Sequence, residues 1–404
     1  MTREVDVAVV GGNIVGATVA LGLLRAGLDV VVLEAREPRP FEVGGDYDLR
    51  VSALSRASQR IFESLGVWPA ISARRISPYQ HMCVWDATGW GEIHFDSREV
   101  GEPDLGHIVE NGVIQDALLQ IIRSISPEAV WSPVRLIDIE HEPATLRLHL
   151  QDGLDLRARL LVGADGARSE VRERVGIDVR RREYGQKAVV ANVATERSHE
   201  STAWQRFLPD GPLAFLPLGD GRSSIVWSTG AEHADELLAQ DDSTFAEALG
   251  AALGFRLGAI TGVGPRAAFP LAGSQAERYI AERVALVGDA AHTIHPLAGQ
   301  GANLGLMDAA VLVDAVACNE RRDPGRKTAL RRYERSRRGD NLLMMRAMEG
   351  FKHLFGSGLP PVRWARSLGL NLTNRSDLLK RELMRRAMGL GGELPSLVRA
   401  VPPD

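Results

Sequence analysis

Gly11, Gly12 and Gly16 follow a β-branched run at residues 5–10 and open a helix-patterned apolar stretch at 17–25. A strand, a glycine-rich turn and a helix in that order make a phosphate site. The first N–H groups of the helix have no intrahelical partner, and its dipole favours an anion. Gly11 permits the tight turn, and Gly16 lets the helix pack close to the strand. Glu34 closes the next apolar run, 30–33, where an acid accepts hydrogen bonds from ribose hydroxyls. The usual second glycine is replaced by Asn13. Asn tolerates a left-handed backbone but adds a side chain where the chain approaches a pyrophosphate, which either weakens affinity or adds a polar contact. The pattern reads as a dinucleotide site and does not say which dinucleotide.

Two later motifs add to it. Leu160-Leu161-Val162-Gly163-Ala164-Asp165-Gly166 is a strand running into Asp-Gly, with a helix beginning near Arg168. Alone it reads as a turn capped by Asp165. Val287-Gly288-Asp289-Ala290-Ala291-His292 ends a buried strand, and Pro296-Leu297-Ala298-Gly299-Gln300-Gly301-Ala302-Asn303 leads into a helix near 300–317. Asp289 at a strand end can accept from sugar hydroxyls. Gly299 and Gly301 leave N–H groups free at a helix start, where negative charge on a ligand ring is stabilised. His292 and His295 are read as structuring the turn rather than moving protons.

These motifs need a framework of strands and helices. Residues 1–34 read as one βαβ unit with Gly27 past the helix end. Residues 56–66, 111–122 and 234–254 read as helices. Residues 79–100, 134–163 and 184–230 read as strands, with turns at Asp152-Gly153 and Pro209-Asp210-Gly211. Trp204, Phe207, Phe215 and Trp227 suit either a substrate pocket or plain core. Met344, Met348, Phe351 and Phe355 share one helical face until Gly356–Pro361 breaks it, and a second basic helix follows at 377–388. This tail reads chiefly as a packing cap on the cofactor-binding body. Its alternative is a docking face for a partner, a membrane surface or an apolar substrate chain.

Composition sets the limits. The 404 residues suit two domains or three. A net charge of −4 argues against general nucleic-acid binding. Cys83 and Cys318 form no CxxC, exclude a disulfide scaffold, and read as small buried hydrophobes. Residues 7–24 carry no charge, but Gly11-Gly12-Asn13 breaks the run, and Glu4 and Asp6 precede it. A buried strand, turn and helix explain it better than a membrane span or signal peptide. The expectation is a soluble cytoplasmic protein.

In this order and spacing, the three motifs resemble those of the group A FAD-dependent aromatic monooxygenases. Asp48-Leu49-Arg50-Val51-Ser52, Leu65-Gly66-Val67-Trp68, Ala214-Phe215-Leu216-Pro217-Leu218 and Ala291-His292-Thr293-Ile294-His295-Pro296 are similar to the ubiquinone-biosynthesis hydroxylases, the UbiH/UbiF/VisC group. Leu105-Gly106-His107-Ile108-Val109-Glu110-Asn111, Ser224-Ile225-Val226-Trp227-Ser228 and Arg332-Tyr333-Glu334-Arg335-Ser336-Arg337 look most like the VisC branch. Asp210-Gly211-Pro212 looks more like the UbiF branch.

The resemblance implies an α/β chain of the p-hydroxybenzoate-hydroxylase type. A Rossmann-like FAD domain is assembled from 1–75, 104–178 and 278–345. A mixed-sheet substrate domain comes from 76–103 and 179–277, and a helical segment from 346–404. It implies FAD as cofactor, NAD(P)H as reductant and O2 as oxidant. A flavin hydroperoxide would hydroxylate a polyprenylphenol, at ring position 5 for the VisC branch. By motif, Gly11, Gly12 and Gly16 face the pyrophosphate, and Glu34 and Arg36 sit at the ribose. Arg50 and Gln115 contact FAD from neighbouring elements, Val134 lies near adenine, and Asp165 serves FAD and NAD(P)H. Asp289 holds the ribityl chain, while Pro296, Gly299, Gly301, Ala302 and Asn303 line the flavin ring. Arg50, Pro296, Gly299 and Gly301 are the catalytic candidates. No residue is singled out to deprotonate the phenol. A homo-oligomer and association with other ubiquinone-biosynthesis proteins stay open, with at most peripheral membrane contact. A halogenase of similar fold would carry a WxWxIP segment, which is absent. A non-catalytic FAD-binding subunit is the rival of another class.

Overall fold

The computed structural model describes residues 3–42, 44–294, 301–318 and 323–399. Its first sheet has eight strands. Arg3–Val10, Val30–Leu33, Val130–Trp131, Asp155–Gly163 and Val284–Leu286 run parallel, with Arg3–Val10 in the middle. These strands are β-branched and leucine-rich because helices cover them. Val7, Val9, Val30, Val32, Leu160 and Leu161 have no exposed surface. Ile14–Arg25, Asn111–Ile125 and Gly301–Ala317 supply helical cover. Leu146–Leu150 and Leu136–His141 extend the sheet antiparallel, through the turn expected at Asp152-Gly153.

The second sheet also has eight strands and is almost wholly antiparallel. Its spine is the 17-residue pair Val179–Thr195 and Ile260–Ala276. Ser223–Gly230, Gly211–Pro217, Thr202–Leu208, His81–Asp86 and Glu92–Asp96 follow in spatial order. The stretch 234–254 is two helices rather than one, Ala231–Ala239 and Asp242–Leu253. Gln240 is extended, and the Asp241 side chain caps the second helix by accepting from Thr244 N. A small third sheet joins Val51–Ser55, Gly106–Glu110 and Ile76–Tyr79, so residues 76–79 lie outside the large mixed sheet.

The tail differs from the expected cap. Helix Lys327–Gly356 spans 30 residues and runs straight through the expected boundary at 345/346. Its early part packs on the first sheet through Leu330 and Tyr333. Its end packs on the second sheet, where Phe355 stacks on Phe207 with centroids 3.9 Å apart. Arg366, on the next helix, forms a buried ion pair with Asp86 at 2.6 Å and donates to the carbonyls of Leu354 and Phe355. The tail therefore fastens both sheets. Cys83 is buried as expected, but Cys318 is exposed.

Candidate active site

The motifs meet because four adjacent parallel strands end on one edge. Gly11 follows Val10, Glu34 follows Leu33, Ala164 follows Gly163, and Gly288 lies two residues past Leu286. Ligands of open α/β sheets bind in the crevice at the carboxyl ends of the strands.

The turns are laced together by backbone bonds. Gly11 N donates to Leu33 O (2.9 Å), and Ala164 N donates to Val10 O (2.8 Å). Gly11 has φ +103°, and a Cβ there would lie 2.4 Å from Ala164 O. A Cβ on Gly16 would lie 1.9 Å from Gly11 O. Both glycines are thus required by backbone contact. Glu34 accepts from Gly12 N at 2.7 Å and Arg36 N at 3.1 Å. Gln115 donates to Gly12 O at 3.0 Å, so its side chain braces the turn. Val134 donates its N–H to Glu34 O at 2.8 Å. Ala35, Pro133, Val134 and Arg135 line a cleft beside Glu34.

Asn13 departs from the expectation. Its φ of −81° is ordinary extended backbone, and it is the N-cap of the helix Ile14–Arg25. Its Oδ1 accepts from Ile14 N at 2.8 Å. The first intrahelical bond runs from Ala17 N to Asn13 O, which leaves the N–H groups of Val15 and Gly16 for a ligand.

Asp165 accepts from Val171 N with Oδ2, while its buried Oδ1 has no hydrogen-bond partner among the described residues. Burial pushes its carboxyl above the usual range. Asp289 is reachable by solvent. Protein nonetheless surrounds it on most sides, and this desolvation raises its pKa, with His292 and Arg50 opposing. Arg50 is exposed, and its charge acts across the crevice. Asp289 is a group at the floor of a cleft.

The helix Gly301–Ala317 begins beside this floor, and its first turn contains Gly301, Ala302 and Asn303. Asn303 does not point its side chain at a ligand. Its Oδ1 accepts from Ser55 N (2.9 Å) and Ser58 Oγ (2.7 Å), and its Nδ2 donates to Ala53 O. It clamps the start of this helix to residues 53–58. Pro296, Gly299 and His295 lie outside the described residues.

This donor set fits FAD. A cleft-floor carboxylate that accepts no hydrogen bond from the described residues calls for hydroxyl donors from a ligand. Free helix-start N–H groups call for phosphate. The comparisons agree. The family model described as FAD binding domain matches residues 4–346. Ubiquinone hydroxylase UbiL of Rhodospirillum rubrum is 40% identical over 99% of this chain and 94% of its own length. The 3-demethoxyubiquinol 3-hydroxylase of Escherichia coli is 39% identical over 96% and 100%. The crystal structure of PqsL of Pseudomonas aeruginosa, a probable FAD-dependent monooxygenase, superposes with a TM-score of 0.76 at 25% identity, covering 91% of this chain and all of that one. The chain belongs to the FAD-binding family of ubiquinone-biosynthesis hydroxylases.

As a member of that family it is an FAD-dependent monooxygenase of ubiquinone biosynthesis. The names of these relatives do not carry the VisC likeness drawn from residues 105–111. Of the four aromatics read as pocket or core, three are core and Trp204 is half-buried at its edge. Phe215 and Trp227 are buried under the helices of the second sheet, and Phe207 is covered by Phe355. Trp204 packs edge-on to Trp85 at 6.2 Å.

Four positioning residues of this hydroxylase, Asp308, Arg337, Asn341 and Arg172, were missed by motif reading. Asp308, with no exposed surface, accepts from His292 Nε2 (2.5 Å) and Gly288 N (3.1 Å) on Oδ2. Its Oδ1 accepts from Arg337 Nε (2.7 Å) and Asn341 Nδ2 (3.1 Å). Burial pushes the Asp308 carboxyl up, but His292 and Arg337 outweigh it and hold it well below the usual range. An ionised carboxylate only accepts, so the proton sits on His292 Nε2. Arg172, also buried, donates to Ala290 O (2.8 Å) and Ala167 O (2.9 Å), tying the second motif to the third. The signal for Asp308 was available. A lone acid inside the otherwise apolar stretch 304–313 has to find a buried partner.

Proposed function

We propose that this hydroxylase converts a polyprenylated phenol to the ring-hydroxylated product at the expense of NAD(P)H and O2. One oxygen atom enters the ring, and the other leaves as water with the two electrons from NAD(P)H. Bound FAD supplies the redox and oxygen chemistry. The single observation that carries the reading is Asp289, accessible at the ends of the four strands and accepting no hydrogen bond from the described residues.

The chain's own residues bind, orient and exclude water. The N–H groups of Val15 and Gly16 at the helix start receive the pyrophosphate, and Gly11 and Gly12, with no side chain, let it approach the turn. Glu34 and Arg36 meet the ribose, and Val134 flanks the adenine cleft. Gln115 holds the turn from behind. Asp289 receives ribityl hydroxyls, with Arg50 facing it. The N-terminus of the helix Gly301–Ala317, with Gly301, Ala302 and Asn303, lies toward the flavin ring, where its dipole stabilises negative charge; Pro296 and Gly299 of the same motif are assigned to the ring by the resemblance. Asp165 flanks both dinucleotides. In this reading residues 1–75, 104–178 and 278–345 form the cofactor domain around the parallel sheet. Residues 76–103 and 179–277 supply the substrate domain, and 346–404 the helical segment that braces both.

The ring position has two readings. The segments at 105–111, 224–228 and 332–337 support position 5. The full-length match to a 3-demethoxyubiquinol 3-hydroxylase supports position 3 of a demethoxyubiquinol. The test is NAD(P)H consumption by the FAD-loaded protein with short-chain prenylphenols, and NMR of the product. Stimulation with ring hydroxylation supports the proposal, and the NMR spectrum decides the position. Phenol-independent consumption that yields only hydrogen peroxide contradicts it.

A further inference from the structure

Sixteen large apolar side chains are exposed among the described residues, and ten of them lie in residues 343–383. The helices Pro360–Arg375 and Asp377–Ala387 meet at one residue, Ser376. On the first helix Trp364, Leu368 and Leu372 recur every four residues, so they form one stripe. They are 67%, 43% and 57% exposed. Other faces do the fastening. Arg366 is buried on Asp86, and Leu370 packs among Val84, Ile93 and Phe355.

The second helix repeats the arrangement. Lys380 pairs with Glu99 at 2.7 Å, and Met384 packs with Leu105. Leu378, Leu379 and Leu383 are left exposed. Trp90, at the tip of the hairpin between His81–Asp86 and Glu92–Asp96, is 55% exposed and meets Trp364 edge-on at 6.1 Å. Two tryptophans side by side, both more than half exposed, suit a boundary between water and hydrocarbon.

The charge of this region is opposite to that of the whole chain. Residues 360–388 carry seven Lys/Arg against two Asp/Glu, in a chain of net charge −4. Arg375, Arg381 and Arg385 are exposed beside the leucines. No described helix is long and apolar enough to cross a membrane. Helices with apolar stripes and basic flanks lie in the plane of an anionic bilayer surface.

We propose that the paired helices 360–387, with Trp90, dock this enzyme onto an anionic lipid surface. The proposal stands on surface chemistry and does not depend on the substrate reading. A second copy fits the face less well, because a two-fold interface sets the patch, and its positive charge, against itself. One prenyl chain does not cover stripes on two helices.

The experiment is co-sedimentation of the FAD-loaded full chain with phosphatidylcholine vesicles, with and without phosphatidylglycerol. The expected result is about tenfold tighter binding to the anionic vesicles, weakened by salt. Two variants accompany it, Trp364→Ser/Leu368→Ser/Leu372→Ser and Arg381→Gln/Arg385→Gln, with flavin absorption and melting temperature as checks on folding. The triple serine variant is expected to lose binding, and the double variant to lose the anionic preference. Equal binding by the triple variant overturns the proposal, as does no binding by the wild type. A concentration-dependent dimer that the triple variant abolishes also overturns it, since a second copy then covers the face.

Discussion

His292 Nε2 lies 2.5 Å from Asp308 Oδ2, and the second oxygen of that carboxylate takes Arg337 at 2.7 Å. His292 belongs to the turn that presents Asp289, and Arg337 to the long tail helix. One buried anion thus joins the floor of the cofactor crevice to the element that braces both sheets.

Asp308→Asn removes the anion and leaves His292 and Arg337 around an uncompensated site. Removing one member of a buried charge set costs about 3–5 kcal/mol, read by denaturant unfolding. The pH dependence has a definite sign. The folded-state pKa of Asp308 is depressed, so its contribution is full above the unfolded value of about 3.9 and is lost as pH falls below it. The stability of the wild type therefore declines more steeply below about pH 4 than that of Asp308→Asn.

Asp289→Ala has the opposite profile. The carboxylate accepts no hydrogen bond from the described residues, and its pKa is raised by desolvation. The apoprotein is expected to melt at the wild-type temperature or higher. FAD affinity falls about 10- to 100-fold, the equivalent of one charge-assisted hydrogen bond. Fluorescence titration of the apoprotein with FAD reads it.

The Gly-rich turn separates two effects. Gly11→Ala places a Cβ 2.4 Å from Ala164 O at a φ of +103°, so it costs about 2 kcal/mol or more and disrupts FAD binding. Asn13→Ala removes only the cap seen at Ile14 N and costs about 1 kcal/mol, whereas Asn13→Gly costs a few tenths. Thermal melting ranks the three variants.

Arg366→Met tests the tail. It strands Asp86 in a site where both side chains are 1% exposed. The expected loss is about 3–5 kcal/mol. If unfolding of that variant stays within 1 kcal/mol of wild type, the tail is not the brace described here.

Much of the cofactor body was legible because its signals are local. β-branched runs, Gly11, Gly16, Glu34, Asp165 and Asp289 each follow from strand, turn and helix-start chemistry within a few residues. What stayed hidden is long-range. Asn303 is read as a ring contact from its motif, yet its side chain reaches back some 250 residues to Ala53, Ser55 and Ser58. Asp308 and Arg337 acquire their meaning only when two helices meet. Trp227 and Phe215 alternate along strands in the way pocket residues also do, and only the packed helices 231–253 show that they are core. At Asn13 the sequence left hindrance and an added polar contact open, and the extended backbone and the cap on Ile14 N come from the fold.

The most direct test of the central claim is turnover under oxygen-18 gas with FAD, NAD(P)H and a short-chain prenylphenol. One labelled oxygen atom in the product ring is the predicted result. A product labelled only from oxygen-18 water, or no hydroxylated product while NAD(P)H is consumed, would contradict the assignment of this chain as an aromatic-ring monooxygenase.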